Sequence, residues 1–486
     1  MTVNKPKVLA LDLDGTLLGT DSLWELFFKY LSLGSLFPLL WLLFGRLRFK
    51  RKMAESVELD FSRLPWNLEV IRLALDHKKK GGEVWLATAA NQAMAKKVVQ
   101  YFDFFSGYLA TDDQINLKSK AKARALSERF GEGGFIYAGD SKADLKVWEA
   151  AGEAVVVGDE KLAKLARPKE GVVRRIDPVG SKKPSWSMIF ELGRPLECLN
   201  NIIIFIPMII SLTFSFKGLI VLILTFFSLY SFSAAVNILS DLITLENSRA
   251  DSQLSNRPLA AGRLDLSRAG FIFLGYVLAG YVLFIIASFF YHSSPHIYLF
   301  VTSSLVFNLV YAFDQNKYLL SIWVFAFQYI FRLSVGFLAL GLSVSIAKVL
   351  MVQFLFVAIG AVKVISRLRT RPADEEITVA FIMKIPQKTI LNLFYYGVTL
   401  IIVQAIVIIV FFAFSFSYRY YYFSSPGLLA FLCPILIFFI ARLLDKNRRG
   451  EIKKVSFSAL LTDWPSWMCL AASLAVYFLA GPVLAR

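Results

Sequence analysis

The residues best suited to chemistry are two aspartates, Asp12 and Asp14, which follow an apolar stretch over residues 7–12. Two carboxylates that lie two positions apart at the end of a strand can bind a divalent cation while one of them attacks phosphorus. A solvated acidic loop is the alternative explanation of this pair taken alone. The pair therefore predicts phosphoryl chemistry only where other suitable groups accompany it.

Other polar groups follow later apolar stretches. Thr88 has a hydroxyl that could hydrogen-bond a phosphoryl oxygen, and Lys122 opens a helix where its ammonium could offset developing negative charge. Asp140 and Asp144 add two more carboxylates. Together these groups favour a phosphoryl-transfer site over a solvated loop.

Alternating strands and helices must position these groups. The strand patterns cover residues 7–12, 83–88 and 134–139, and the amphipathic helical patterns lie at about 67–80, 91–105, 120–130 and 143–151. This alternation predicts a parallel sheet with helices on both faces. Ligands of such sheets bind at the carboxyl ends of the strands, which is where the polar groups fall.

The run from Asp12 to Thr16 (Asp-Leu-Asp-Gly-Thr), with the other groups in this order, resembles the haloacid dehalogenase superfamily over residues 5–165. The resemblance implies an α/β Rossmann-like domain with a helical cap and a phosphatase or phosphotransferase activity. It implies that Asp12 is the nucleophile that forms an aspartyl-phosphate. Asp14 would be the general acid and then the base that activates water.

The same resemblance implies how the phosphoryl group and the metal are held. Thr88 and Lys122 would hold the phosphoryl group, and Lys118 is a second candidate for the lysine role. Mg²⁺ is the implied cofactor, and its candidate ligands are carboxylates: Asp12, Asp14, Asp140 and Asp144.

Residues 22–75 are inserted between the first strand and the rest, and they are predicted to form the cap that selects the substrate. Within them, the apolar run 30–45 is short for a spanning helix, so it predicts a cap helix or a helix in the membrane interface. The basic residues that follow would suit anionic headgroups: Arg46, Arg48, Lys50, Arg51 and Lys52.

Hydrophobic residues make up 56% of the 486-residue chain, and they concentrate after residue 198. Apolar runs there have about the length that an α-helix needs to cross a bilayer: 198–216, 218–240, 268–291, 296–313, 319–342, 345–365, 389–414, 425–444 and 466–484. The predicted organisation is a head over 1–175, a linker over 176–193, and an all-α membrane domain of about nine transmembrane helices over 194–486.

The chain has a net charge of +17. In its second half, most Lys and Arg residues lie in every second loop between the apolar runs. By the positive-inside rule this pattern predicts a multi-pass protein of the inner (cytoplasmic) membrane, with the head in the cytoplasm. Attraction to an anionic membrane face accounts for the charge, so no nucleic-acid partner is predicted. The three cysteines are widely spaced and predict no disulfide framework, and three histidines are too few to favour a histidine metal site.

Charged residues inside apolar runs are costly to bury in lipid and are usually functional. Asp241 ends the second run, Arg332 lies in the middle of the fifth, and Lys363 lies near the end of the sixth. The alternative for Arg332 is a structural hydrogen bond between helices. For Lys363 it is a snorkelling residue at a helix end.

The segment 240–249 (Ser-Asp-Leu-Ile-Thr-Leu-Glu-Asn-Ser-Arg), followed by Arg-Pro-Leu-Ala-Ala-Gly at 257–262, resembles the first Asp-rich loop of the UbiA superfamily of transferases. Further pieces resemble its polyprenyl-phosphate phosphoribosyltransferase branch: Arg194-Pro195 with Asn201 and Pro207, Tyr311 with Lys317, Arg332 with Gly336, and Arg449-Gly450-Glu451 with Asp463.

This second resemblance implies a diphosphate bridged by Mg²⁺ to Asp241 and Glu246, and a polyprenyl lipid whose tail lies between helices. The candidate contacts to anionic substrate are basic: Arg249, Arg257, Lys317, Arg332 and Lys363. In this branch a polyprenyl phosphate attacks phosphoribosyl diphosphate, and the product carries a sugar 5-phosphate that the head could remove.

Hydroxyls replace the expected ligands at three positions of that loop. Ser240, Thr244 and Ser248 stand where the superfamily has Asn, Asp and Asp. These replacements predict weakened Mg²⁺ binding. Three hypotheses therefore stay open: a bifunctional transferase and phosphatase, a UbiA-type prenyltransferase that uses a prenyl diphosphate and another acceptor, and a membrane-anchored phosphatase with a degenerate transferase domain.

Overall fold

A computed structural model provides the structure of the protein. It describes residues 7–33, 46–112, 116–180, 184–251, 254–290, 296–313, 318–342, 356–362, 364–365, 376–379, 383–414, 424–449 and 463–481.

The head is built on a six-stranded parallel sheet. Its strands are β1 (Val8–Leu11), β2 (Val84–Asn91), β3 (Gly107–Thr111), β4 (Phe135–Gly139), β5 (Glu153–Val157) and β6 (Val172–Ile176), in the order β3-β2-β1-β4-β5-β6. The predicted parallel α/β architecture is confirmed. Leu9 of β1 pairs with both Val84 of β2 and Ile136 of β4, so the carboxyl ends of β1 and β4 are neighbours.

Eight helices accompany the sheet: α1 (Ser22–Ser32), α2 (Arg46–Ser56), α3 (Leu68–Lys79), α4 (Gln92–Tyr101), α5 (Lys120–Phe130), α6 (Leu145–Ala150), α7 (Glu160–Ala163) and α8 (Trp186–Leu192). Local sequence fixes where several of them begin. The side chains of Asp21, Asn67 and Asn91 accept hydrogen bonds from the first free amides of α1, α3 and α4. Such caps satisfy donors that the first helical turn leaves unpaired.

The predicted cap region folds onto the sheet. Phe49 and Met53 of α2 and Leu26 of α1 are buried in the same core as Leu9 and Leu11 of β1. A short 3₁₀ helix, Phe61–Arg63, follows them. Most of the apolar run 30–45 lies outside the described residues.

The rest of the described chain is mainly helical and apolar. Its helices are α9 (Pro195–Cys198), α10 (Ile206–Ile210), α11 (Phe216–Ile243), α12 (Leu245–Ala250), α13 (Leu266–Phe289), α14 (His296–Phe313), α15 (Tyr318–Ala339), α16 (Gln387–Phe414), α17 (Leu432–Arg448) and α18 (Trp464–Leu479). The strands β7 (Glu376–Val379) and β8 (Met383–Pro386) pair antiparallel.

Within the described residues, four helices are long and apolar enough to cross a membrane, or five if the bent pair Trp186–Leu192 and Pro195–Ile210 forms one span. A helical, apolar second region is therefore confirmed, whereas the count of nine spans is not and stays a prediction. Close helix contacts use small residues here: a Cβ on Gly336 would lie 2.4 Å from the carbonyl oxygen of Ile204.

Contacts group the chain into two compact units. The first contains residues 1–192 together with 238–273, and the second contains 193–237 together with 274–486. The loop between the second and third apolar runs, with the adjoining ends of α11 and α13, thus belongs to the unit that contains the sheet. The boundary at 176–193 is a division of the sequence and stays a prediction.

Candidate active site

The nucleophile candidate, Asp12, sits directly after β1 and is almost fully buried. Its Oδ1 atom accepts a hydrogen bond of 2.9 Å from the amide of Leu13 and lies 3.0 Å from the Nζ atom of Lys122. Both donors reach Oδ1, so Oδ2 is the oxygen available to attack phosphorus. Lys122 reaches this point from the first turn of α5, with a side chain that is only 3% exposed.

A buried network links Lys122 to Asp144. Lys122 Nζ donates to the hydroxyl of Tyr137 at 2.8 Å, and that hydroxyl donates to Oδ1 of Asp144 at 2.8 Å. The amide and hydroxyl of Ser141 donate to the other carboxylate oxygen, Oδ2, at 3.1 and 2.9 Å. Both oxygens of Asp144 therefore hold the loop after β4 and orient the lysine.

Asp14 and Asp140 complete the acidic group. Oδ1 of Asp14 accepts a 2.7 Å hydrogen bond from the amide of Ser22, the first residue of α1. Asp140 follows β4 and packs against Gly15, where an added Cβ would lie 2.1 Å from Oδ2 of Asp140. Gly15 also has φ +76°, a conformation that L side chains rarely adopt. Glycine is therefore required here on two grounds.

Burial and mutual repulsion raise the pKa values of these acids. Burial raises the pKa of Asp12 to about 6, and the nearby Lys122 ammonium limits that rise. The pKa of Asp14 rises to about 7, mainly by burial and then by the charge of Asp21. Burial and the charges of Asp12 and Asp144 raise the pKa of Asp140 to about 8.

The raised pKa of Lys122 favours its charged form, whereas the raised pKa values of the acids favour their neutral forms. Burial alone would lower the pKa of Lys122, but the carboxylates of Asp12 and Asp144 outweigh it and raise that pKa above its usual value. The ammonium therefore stays charged at neutral pH, beside the oxygen of Asp12 where negative charge collects.

The acidic group fits a divalent cation. One carboxylate oxygen from each of Asp12, Asp140 and Asp144 lies within 4.8 Å of the others. Burial raises the pKa values of Asp12 and Asp140, and repulsion from the neighbouring carboxylates adds to the rise, so a cation here would stabilise the ionised forms. Oxygen ligands of this kind suit Mg²⁺. Because Asp144 already receives several donors, Asp12 and Asp140 would be the ligands of such a cation, and Asp144 would support them.

A cavity of about 250 Å³ opens onto these groups. The structure brings together six candidate residues of the sequence analysis, which all line this cavity: Asp12, Asp14, Lys118, Lys122, Asp140 and Asp144. Thr88 is completely buried and its hydroxyl accepts from the amide of Ala90 at 3.0 Å. Ala89, Ala90 and Asn91 line the cavity at this strand end, in the place where Thr88 was expected.

Other lining residues are polar, and some were missed. Lys50 of α2 lines the cavity while its Nζ donates to the carbonyl of Ala89 at 2.9 Å. Asn91 and Asn116 also line it. The sequence predicts a headgroup contact for the basic run 46–52. Nothing in that run distinguishes Lys50, which lines the cavity. Tyr137 was missed because it lies inside an apolar strand pattern.

The charged residues of the Asp-rich-like loop are engaged within the first unit. Oδ1 of Asp241 lies 2.5 Å from a guanidinium nitrogen of Arg257. Glu246 forms an ion pair with Lys29 of α1, and Arg249 forms one with Glu25 of α1. The hydroxyl of Thr244 donates to the carbonyl of Ser240 within α11. Residues predicted to hold metal or substrate thus have protein partners.

In the second unit, Arg332 is buried and bonds two asparagines. Its Nε donates to Oδ1 of Asn201 at 2.6 Å, and a terminal nitrogen donates to Oδ1 of Asn308 at 3.1 Å. Asn201 in turn donates to Ser233 at 3.1 Å. These are hydrogen bonds between helices, the alternative role considered for Arg332. Lys317 and Lys363 lie outside the described residues.

Comparisons with known proteins agree with the site in the head. Residues 9–149 match the family model of the haloacid dehalogenase-like hydrolases. Over 264 residues, 53% of this chain, the sequence is 34% identical to the uncharacterized protein y4nM of Sinorhizobium fredii (strain NBRC 101917 / NGR234). The chain spans about half (50%) of the length of that relative.

Two solved structures are similar to a larger part of the chain. A UbiA homolog from Archaeoglobus fulgidus, bound to DMAPP and Mg²⁺, is 14% identical with a TM-score of 0.44, over 60% of this chain and 98% of that chain. A structure from work on digeranylgeranylglyceryl phosphate synthase is 16% identical with a TM-score of 0.44, over 60% and 97%. Residues 9–149 are thus similar to haloacid dehalogenase-like hydrolases, and the chain joins them to an apolar helical region.

Proposed function

We propose that the head is a Mg²⁺-dependent phosphatase whose substrate is a phosphate monoester carried by a polyprenyl lipid. One observation carries the phosphatase assignment. The Asp12 carboxylate is fixed through Oδ1 by Lys122 and the Leu13 amide, and it faces a cavity that Asp14 and Asp140 also line. A nucleophile, a general acid and a charge-neutralising group therefore share one space.

In the first step, Oδ2 of Asp12 attacks phosphorus and the bond from phosphorus to the leaving oxygen breaks. Asp14 gives its proton to that oxygen, which suits a carboxyl whose pKa is raised to about 7. Lys122, 3.0 Å from Oδ1 of Asp12, offsets charge on the phosphoryl group. When bound, Mg²⁺ supplies further positive charge at this group.

In the second step, Asp14 takes a proton from water as the water oxygen attacks phosphorus. The bond between phosphorus and Asp12 breaks, phosphate leaves, and both carboxyls return to their starting states. The 2.7 Å hydrogen bond from the Ser22 amide holds Asp14 in place during both transfers.

The proposed substrate follows from the second sequence resemblance. A phosphoribosyl group transferred onto polyprenyl phosphate in the apolar region would carry a 5-phosphate, and the head would remove it. The Arg-Pro-Leu-Ala-Ala-Gly run at 257–262 supports this assignment. The sequence pattern of alternate basic loops supports a cytoplasmic head, on the membrane face where phosphoribosyl diphosphate would arrive.

Purified full-length protein in detergent tests the proposal. It is incubated with Mg²⁺, polyprenyl phosphate and phosphoribosyl diphosphate, and the lipids are analysed by mass. We expect wild type to make a ribosylated lipid and Asp12→Asn to accumulate the phosphoribosylated one. Glu128→Gln, an acid-to-amide change at an exposed position, is the matched control and should behave as wild type.

A second candidate is a membrane-anchored phosphatase that performs no transfer. The observation that favours it is the pairing of Asp241, Glu246 and Arg249 with Arg257, Lys29 and Glu25. It predicts no lipid product from phosphoribosyl diphosphate, while wild type still cleaves an added phosphoribosylated lipid. Product formation from a prenyl diphosphate and another acceptor would instead identify a prenyltransferase. Failure of wild type to release phosphate from any monoester would refute the phosphatase itself.

A further inference from the structure

We propose that Glu25 and Arg249 form a positioning pair for the phosphatase reaction, so that the loop after α11 is a working part of the hydrolase. This inference rests on the proposed phosphatase function and deepens it. Both residues lie in the first compact unit, although 224 positions separate them in the chain.

The pair is bidentate and buried. The two terminal nitrogens of Arg249 lie 2.7 and 3.1 Å from Oε1 and Oε2 of Glu25. The side chains are only 7% and 5% exposed. The hydroxyl of Thr20 also donates to Oε1 of Glu25, at 2.7 Å. Paired forks of this kind fix orientation as well as distance, and removing one partner leaves an uncompensated buried charge.

The pair acts on helix α1, whose first residue contacts the general acid. Glu25 lies in the first turn of α1, and the first residue of that helix, Ser22, donates its amide to Oδ1 of Asp14. The amide of Gly15 donates to the carbonyl of Thr20 at 3.3 Å, which closes the loop between β1 and α1. A shift of α1 therefore moves the group that holds Asp14.

A second ion pair fixes the register of the same contact. Lys29, one turn after Glu25 on the same helix face, pairs with Glu246. Glu246 and Arg249 lie three residues apart on α12, again on one face. The two pairs have opposite polarity: acid on α1 to base on α12, then base on α1 to acid on α12. A slip by one turn would set like charges against each other.

Leaving-group dependence separates positioning of Asp14 from general structural support. Release of a sugar alkoxide requires a proton from Asp14, whereas 4-nitrophenolate leaves without protonation. Full-length protein is therefore assayed for kcat/KM with ribose 5-phosphate and with 4-nitrophenyl phosphate. The variants are Glu25→Gln, Arg249→Lys, which keeps the charge but not the fork, and both together.

We expect each single variant to lose about 10- to 100-fold in kcat/KM for ribose 5-phosphate, up to the lower end of what a general acid–base group contributes, because Asp14 is displaced but still present. The loss for 4-nitrophenyl phosphate should be far smaller. The double variant should lose no more than the worse single variant, because the two residues act as one unit. Glu191→Gln, which removes the half-exposed pair with Arg263 in the same unit, is the control and should change neither probe.

Three results would overturn the inference: unchanged rates in all variants, equal losses for both probes, or losses that add in the double variant. Equal losses would assign the pair to folding alone. A wild type that hydrolyses neither probe nor the phosphoribosylated lipid would overturn the proposed function and this inference together. Active wild type with unaffected variants would overturn this inference only.

Discussion

The Tyr137 hydroxyl donates a 2.8 Å hydrogen bond to Asp144 while it accepts one from Lys122, so a residue of a buried strand connects the two charged groups behind the nucleophile. Tyr137 is completely buried, and burial raises its pKa well above the usual value. Its hydroxyl therefore stays protonated and remains a donor to the carboxylate.

Tyr137→Phe should lower kcat without unfolding the head. The ring stays, but Lys122 and Asp144 each lose a buried partner, which costs about 1–3 kcal/mol. If half of that cost falls on the transition state, kcat with ribose 5-phosphate drops by about twofold to tenfold. Tyr108→Phe, at a half-exposed strand position, is the matched control. An unchanged kcat would show that the network does not orient Lys122.

Gly15→Ala should abolish both activity and Mg²⁺ binding. The new Cβ would lie 2.1 Å from Oδ2 of Asp140, so that carboxylate must move. Gly81→Ala is a close control, because Gly81 has φ +80° with no atom within 4 Å of the added Cβ. Both changes strain the backbone by about 1–3 kcal/mol, but only the first should remove the rise in melting temperature that Mg²⁺ produces. Equal Mg²⁺ responses in the two variants would contradict the prediction.

Asp140→Asn should stabilise the metal-free protein. Burial and the charges of Asp12 and Asp144 raise the pKa of Asp140 to about 8, so this carboxyl must take up a proton on folding near neutral pH, and a neutral isostere removes that cost. We expect a higher melting temperature than wild type in chelator, by several degrees, and a smaller or absent increase when Mg²⁺ is added. Differential scanning fluorimetry in both buffers measures this. If Mg²⁺ raised the melting temperature of the variant as much as that of wild type, Asp140 would be excluded as a ligand.

Lys50→Gln should raise KM for phosphorylated substrates more than it lowers kcat. Lys50 brings a positive charge from the cap helix α2 into the cavity, where it can attract an anionic substrate before chemistry. We expect an increase in KM of about fivefold to tenfold for ribose 5-phosphate, of the size of one charge-assisted contact. Lys96→Gln, on an exposed position of α4, controls for net charge. A pure kcat effect would place Lys50 with the catalytic groups instead.

The sequence was sufficient to place the candidate acids together, because their position depends on strand order. A strand that ends in Asp12 and another that ends before Asp140 must bring these residues to one edge of a parallel sheet. Lys122 was predictable for a similar reason, since it opens the helix that precedes β4. Tyr137 was not, because a tyrosine within an apolar strand gives no sign of its hydroxyl partners.

The roles of the charged residues in the loop after α11 were harder to predict from the sequence. Arg249 and Glu246 lie beside an Asp-rich-like motif. Arginine is suited to binding a diphosphate and glutamate to binding a metal, but both are equally suited to forming ion pairs. Their partners, Glu25 and Lys29, lie in the cap more than 200 positions away, at separations of 224 and 217. No local pattern encodes such a contact. Arg332 shows the opposite case, since its hydrogen bonds to Asn201 and Asn308 match the structural role already considered for a buried arginine.

The grouping of residues 238–273 with the sheet also sets the order in which this protein can be built on the ribosome. Chains generally fold from the N-terminus as they emerge, yet Arg249 and Glu246 emerge only after the whole of α11 has been synthesised. Until then Glu25 has no cation, and the cap lacks one of its supports. The first unit therefore cannot be completed until an apolar helix has left the exit tunnel, and a gene fragment that stops at residue 192 lacks the partners of Glu25 and Lys29.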